Sequence, residues 1–279
     1  MTFHITRKES LGDALRRVAE EQIGAAIRDI ENTDADPDFR VHQFRKRCKK
    51  MRGLLRLIRP ALGDRFEAED ARFREAARLL SAARDATVTD RSIALAAPDG
   101  ATTARPESVD VTDETFSACA AAARSALSAV PTWPLDACTF ADLRSGFEAT
   151  YRRLNRARER ALAAPSGERY HKVRKWTKYH WYQIRLLEHA NRRRYGKRRE
   201  LLRRTGCELG DAHDLDVALG YIASNGSGDR ELRRRLLERR SSLMEDAGRH
   251  LKTVTRADPQ TLARNLERDW QKWRGTVAR

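Results

Sequence analysis

Residues 42–59 read HQFRKRCKKMRGLLRLIR, with eight arginines or lysines and no aspartate or glutamate. His42, Arg45, Lys49, Arg52 and Arg56 step by three, four, three and four, which places all five on one face of an α-helix. Phe44, Cys48, Met51, Leu55 and Ile58 keep the same rhythm on another face, as an apolar stripe must if the helix is to pack. One face can therefore join a core while the other holds fixed cations before something long and negative.

A shortened echo runs from His171 to Arg185. One offset of 129 residues carries His42 to His171, Arg45 to Arg174, Lys46 to Lys175, Lys49 to Lys178, Leu55 to Ile184 and Arg56 to Arg185. Downstream it carries Leu80 to Leu209, Asp85 to Asp214 and Val88 to Val217, with Arg84 opposite His213. A single register that aligns both a cationic helix and a later set of positions reads as a duplicated helical unit. One basic helix alone is most often a solvated face. Two related ones can turn toward a shared axis, where a cleft of one sign focuses its field on a polyanion.

The flanking sequence agrees with a helical chain. Stretches rich in Ala, Leu, Arg and Glu are punctuated by Pro and Gly, and alternation of β-branched residues is rare. Helices are expected over about 9–31, 38–58, 65–84, 86–96, 110–128, 139–163, 168–191, 193–209, 212–223, 229–251 and 259–275, with a loose linker at 97–106. Pro131 and Pro134 break the middle. The expected fold is all-α: two pseudo-symmetric helical bundles, residues 1–135 and 136–279, with a basic groove or channel between them.

The 279 residues include 56 Lys or Arg and 40 Asp or Glu, a formal charge of +16, which favours an anionic partner without naming it. Hydrophobic residues make up 40%, enough for a real core, but no run of about 18 apolar residues exists to span a membrane. Met1 to Lys8 is polar and lacks the apolar segment of a secretory signal. Cys48, Cys119, Cys138 and Cys207 form no C-x-x-C pair, so buried free thiols in a reducing cytoplasm are expected.

His42 and His171 open the two basic faces. Imidazole titrates near neutrality, and a bound phosphate favours its charged form while surrounding cations oppose it. The second copy departs from the first where Trp176 and Trp181 stand for Arg47 and Arg52, and Tyr179 and Tyr182 add further rings. These rings can pack in the core, or a phenol such as Tyr182 can donate to a ligand from the rim. Arg192, Arg193, Arg194, Lys197, Arg198 and Arg199 wrap around a helix, so part of that run is expected on the outer surface.

Gly210-Asp211-Ala212-His213-Asp214 is the one stretch with a catalytic look, since a His-Asp pair serves metal-dependent phosphohydrolases. Such enzymes need further ligands. His171, His180 and His189 are nine apart and alternate faces, while Arg84-Asp85 replaces His-Asp in the first copy. Asp85 and Asp214 are better suited to capping a helix or holding a basic side chain. The phosphate-loop and dinucleotide glycine patterns and H-E-x-x-H are absent, and Asn225-Gly226-Ser227-Gly228 reads as a turn. No catalytic residue, metal or cofactor is expected.

The two motifs, His42-x-x-Arg45-Lys46-x-x-Lys49-x-x-Arg52 and His171-x-x-Arg174-Lys175-x-x-Lys178, resemble the CHAD family, the conserved histidine α-helical domain. Arg84-Asp85 and His213-Asp214 strengthen the likeness, which covers about residues 6–273. The resemblance implies binding of inorganic polyphosphate in a basic channel by His42, Arg45, Lys46, Lys49, Arg52, Arg56, Arg84, His171, Arg174, Lys175, Lys178, Tyr182, Arg185 and His213. It implies no hydrolysis, because the E-x-E-x-K strand of the triphosphatase domain often fused to this family is missing. A cytoplasmic location, on polyphosphate granules among other places, would follow. The rivals are a nucleic-acid (RNA) binding protein and a metal-dependent phosphohydrolase of phosphoanhydrides. Against the first, aromatics are not interleaved as stacking platforms, so nucleic acid should bind only weakly.

Overall fold

Short polar side chains and prolines set where the helices begin. In the computed structural model, which describes residues 3–81, 111–224 and 230–275, Ser10 accepts from Asp13 N and Asp36 from Phe39 N, both at 3.1 Å. These caps start α1 (Leu11–Glu31) and α2 (Pro37–Leu57), the latter with proline at its first position. A single turn, α3 (Arg59–Leu62), leads to α4 (Arg65–Leu79), and Thr112 caps α5 (Asp113–Ala129). Then come α6 (Phe140–Ala163), α7 (Gly167–Leu187) behind the Ser166 cap, α8 (Arg192–Ser224), α9 (Arg230–Val254) and α10 (Pro259–Gly275). The described residues contain no strand, so the fold is all-α. None of their helices is long and apolar enough to cross a membrane. The helix expected at 86–96, the linker at 97–106 and the turn at 225–228 lie outside the described residues.

Two expectations need correction. The stretch 193–209 does not stop at Gly210 but continues as one helix, α8. Ala212, Leu215, Ala218 and Ile222 bury themselves against Leu232, Leu236 and Leu243 of α9. Each buried Leu or Ile stabilises by roughly 1.5–3 kcal/mol, which exceeds the cost of one helical glycine, about 1 kcal/mol. The thiols are also less uniform than expected: Cys48 and Cys119 are buried, Cys138 is half-buried and Cys207 is exposed, all four free.

The stripe read from α2 does enter the core: Phe44, Cys48, Met51, Leu55 and Ile58 are all buried. One continuous cluster runs from Phe3 to Trp270 and takes in Trp133 and Leu135 at the mid-chain seam. Shifted by 129, α1 and α2 fall on residues 140–160 and 166–186, nearly coincident with α6 and α7. α1 packs on α2 and α5, while α6 packs on α7 and α10. At the centre α2 crosses α7, and a Cβ on Gly53 would lie 3.1 Å from the Cβ of Tyr182. Those two positions are themselves 129 apart in sequence. α6 approaches the end of α2 still more closely at Gly146, where any Cβ would collide with Leu57 O.

Candidate functional site

The crossing brings the cationic faces of α2 and α7 together. His42, Lys49 and His171 are exposed; Arg45, Lys46, Arg174, Lys175 and Lys178 are half-buried. The ring of His171 stands edge-on to that of His213 from α8, with centroids 5.5 Å apart. Partial dehydration lowers the pKa of His171, and His213, Arg174, Lys175 and Lys49 lower it further. The opposing tendencies left open by the sequence thus resolve toward the neutral imidazole. A surface cavity lined by Gly167, Glu168, His171, His213, Asp216, Val217 and Arg240 opens beside this pair.

Two glycines of α8 let the α7 cations lie against helix backbone. A Cβ on Gly206 would come within 2.9 Å of Lys178 Cε, and one on Gly210 within 3.1 Å of Arg174 Nη2. Burial lowers the pKa of Lys178; Cys207 and Asp211 oppose the fall while Arg174 and Arg203 add to it. Burial likewise lowers Lys175, with Arg56 and Arg52 contributing across the crossing. Arg174 Nε is buried and, among the described residues, has no hydrogen-bond partner. A buried donor left in that state is costly unless something accepts from it.

The first copy is finished differently. Arg45 Nη1 donates to Ala77 O at 2.6 Å, a carbonyl in the last turn of α4. Arg52 and Arg56 do not present open forks. Both grip Asp70 of α4, Arg52 at 2.9 and 3.1 Å and Arg56 at 2.6 and 3.0 Å. Burial opposes ionisation of this acid, yet the hydrogen bonds from Arg52 and Arg56 outweigh it and hold its pKa at about 2. The absence of acids within residues 42–59 therefore does not leave that face without an acidic partner; the partner comes from another helix. At the equivalent position the second copy carries Arg199, which pairs with Glu188 at 2.7 Å.

The other expected site residues scatter. Tyr182 is in the core rather than on the rim, 4% exposed, and burial pushes its pKa up to about 12. Arg185 lies over the rings of Trp181 and Phe3 at 5.0 and 5.8 Å. Lys46 donates to Gln43 at 3.3 Å. Arg84 falls outside the described residues. Within the run 192–199, Arg198 is not on the outer surface: its Nε donates to the fully buried His180 at 3.1 Å and its guanidinium covers Tyr151. Burial drives His180 well below the usual histidine range. Lys50, also buried, donates to Gln22 at 2.9 Å, and burial brings its pKa down to about 8. Sequence reasoning missed Asp70, although it interrupts an apolar stripe of α4, Phe66, Phe73 and Ala76, where an acid requires a cation. Among the described residues, no three His, Cys, Asp or Glu gather as a metal site.

A family model described as the CHAD domain matches residues 11–223, well over half of the chain. No curated protein and no solved structure matches it.

Proposed function

The chain belongs to the CHAD domain family, and on that premise we propose that it binds inorganic polyphosphate, without turnover, along the cations that α2 and α7 bring together. The observation that carries this reading is Arg174, a guanidinium fixed against Gly210 with an Nε that still needs an acceptor. Its planar fork suits two oxygens of one phosphoryl group, while Lys49, Lys175 and Lys178 serve as point charges. His171, its pKa lowered by its surroundings, supplies an imidazole that a bound phosphate would protonate, and His213 stands beside it. His42 and Arg45 extend the same face of α2. Lysines and a histidine with lowered pKa values gain most from an anion, because the ligand restores the charge that burial disfavours.

The matching spans of α1–α2 and α6–α7, with Gly53 opposite Tyr182, support an internal duplication whose two basic helices flank one lane. Polyphosphate offers no bases, so recognition rests on charge spacing and groove width. A location in the cytoplasm, on polyphosphate-rich granules, belongs to the same proposal.

With about six phosphates engaged, the log–log dependence of affinity on salt should have a slope of about −4 to −5. Titration of long-chain polyphosphate across salt concentrations measures it, and a flat response removes the proposal. Polyphosphate should displace single-stranded RNA at matched charge, while RNA should hardly displace polyphosphate. The reverse order would favour RNA as the ligand. Release of phosphate with added Mg²⁺ or Mn²⁺ would make the protein an enzyme instead.

A further inference from the structure

We infer that Asp70 is a specificity-determining residue: its carboxylate stands in for a phosphoryl group at one end of the cationic row and so limits how much of a polyphosphate chain the protein grips. This deepens the polyphosphate reading and rests on it. Arg52 meets Asp70 through Nε and Nη2, and Arg56 through Nη1 and Nη2. That is the two-oxygen grip by which arginine recognises phosphate. The acid is 4% exposed, and Arg56 is further fixed over Tyr179, 4.2 Å from the ring centroid. Lys175 lies within reach of the charges of Arg56 and Arg52 as well as of His171, so a chain that passes His171, Arg174 and Lys49 and reaches Lys175 then meets two guanidiniums already engaged. Breaking such a buried pair leaves a carboxylate without its partners, which a phosphate must overcome before it gains either fork. The device is one-sided, because the equivalent of Asp70 is Arg199, a cation. The lane is therefore open toward His171 and closed toward Arg56, and phosphates beyond that end add no contact.

The test compares tripolyphosphate with long-chain polyphosphate on the full chain. Asp70→Asn should raise long-chain affinity by about tenfold and steepen its salt slope by about one to two units, since two forks become available. Tripolyphosphate, already accommodated in the open end, should change by less than about twofold. Adding Arg52→Gln and Arg56→Gln to Asp70→Asn should cancel the gain and return long-chain affinity to that of the wild type. Equal gains for both probes, no gain for either, or a gain that survives loss of the arginines overturns the inference. If Asp70→Asn does not fold, the triple variant decides alone: its uncharged amides remove the ion pair altogether. Wild-type affinity then supports the assignment, and a loss of about tenfold overturns it, because it would show Arg52 and Arg56 touching ligand. A wild type that binds neither probe removes the polyphosphate reading and the inference with it. A wild type that binds, with any overturning outcome above, removes only the inference.

Discussion

Arg45 and Arg174 occupy equivalent turns of α2 and α7, yet one guanidinium donates to the end of α4 while the other keeps a buried Nε without an acceptor among the described residues. The cause lies in the helices beneath them. Arg45 finds the Ala77 carbonyl in the last turn of α4 (Arg65–Leu79), whereas Lys178 and Arg174 lie against Gly206 and Gly210 of the long helix α8. The same divergence repeats two to three turns further on, where Asp70 neutralises Arg52 and Arg56 while Arg199 stands at the matching sequence position. Equal motifs thus reach unequal states because each is completed by a different neighbour. α7 keeps a buried guanidinium donor without an acceptor among the described residues, where α2 has committed its own to the fold.

Charge reversal tests this contrast most severely. Arg174→Glu should lower polyphosphate affinity by about 100-fold, or about 2.7 kcal/mol, with helicity unchanged by circular dichroism. Arg45→Glu should cost only about tenfold in affinity but lower the melting temperature, because Ala77 O loses a donor worth about 1 kcal/mol. Equal binding losses with no thermal difference would dissolve the comparison.

Titration sharpens it next. The pKa of His171 lies below its unfolded value in the free protein, and bound phosphate should raise it, so binding takes up protons. Affinity should tighten as pH falls through the region below about 6.5. On the same descent the free protein loses stability, since its unfolded chain accepts the proton more readily. His171→Gln should remove most of the pH response and His42→Gln less, because it is His171 that stands ring to ring with His213 among cations that lower its pKa. Proton uptake follows from calorimetry in buffers of different ionisation enthalpy. An unchanged response in both variants would make the two histidines structural.

The smallest effect has opposite signs in its two readouts. Gly210→Ala should stabilise α8 by up to about 1 kcal/mol yet weaken binding by roughly threefold, because the new methyl displaces Arg174. Ser81→Ala, at the equivalent position, should leave affinity within about twofold. Thermal melts paired with titrations give both numbers, and stabilisation without weaker binding would place Arg174 away from the ligand.

Local pattern foretold much of this architecture. The apolar stripe of α2 and the helical character of the chain depend on neighbours in sequence, and both reappear in the helices. His171 does lie among Lys49, Arg174 and His213 in the structure. What escaped depends on distant partners. Asp70 lies on another helix from the arginines it holds, and nothing in residues 42–59 announces it. Gly210 reads as a breaker until α9 supplies the apolar surface that keeps the helix going. The run 192–199 does not say which of its cations turns inward until His180 and Tyr151 enclose Arg198. Periodicity reports which face is buried, not which charge waits inside.

The separate apolar cluster between the far half of α8 and α9 has a dynamic consequence. Its few side chains are held apart from the main core, so this hairpin can open locally at less cost than global unfolding. Amide hydrogens from about Ala212 to Ile222 should exchange with deuterium sooner than those around Leu202 on the same rod. Because His213 sits on the loosening side and Arg174 on the firm one, a tethering ligand would register as slowed exchange far out along the hairpin.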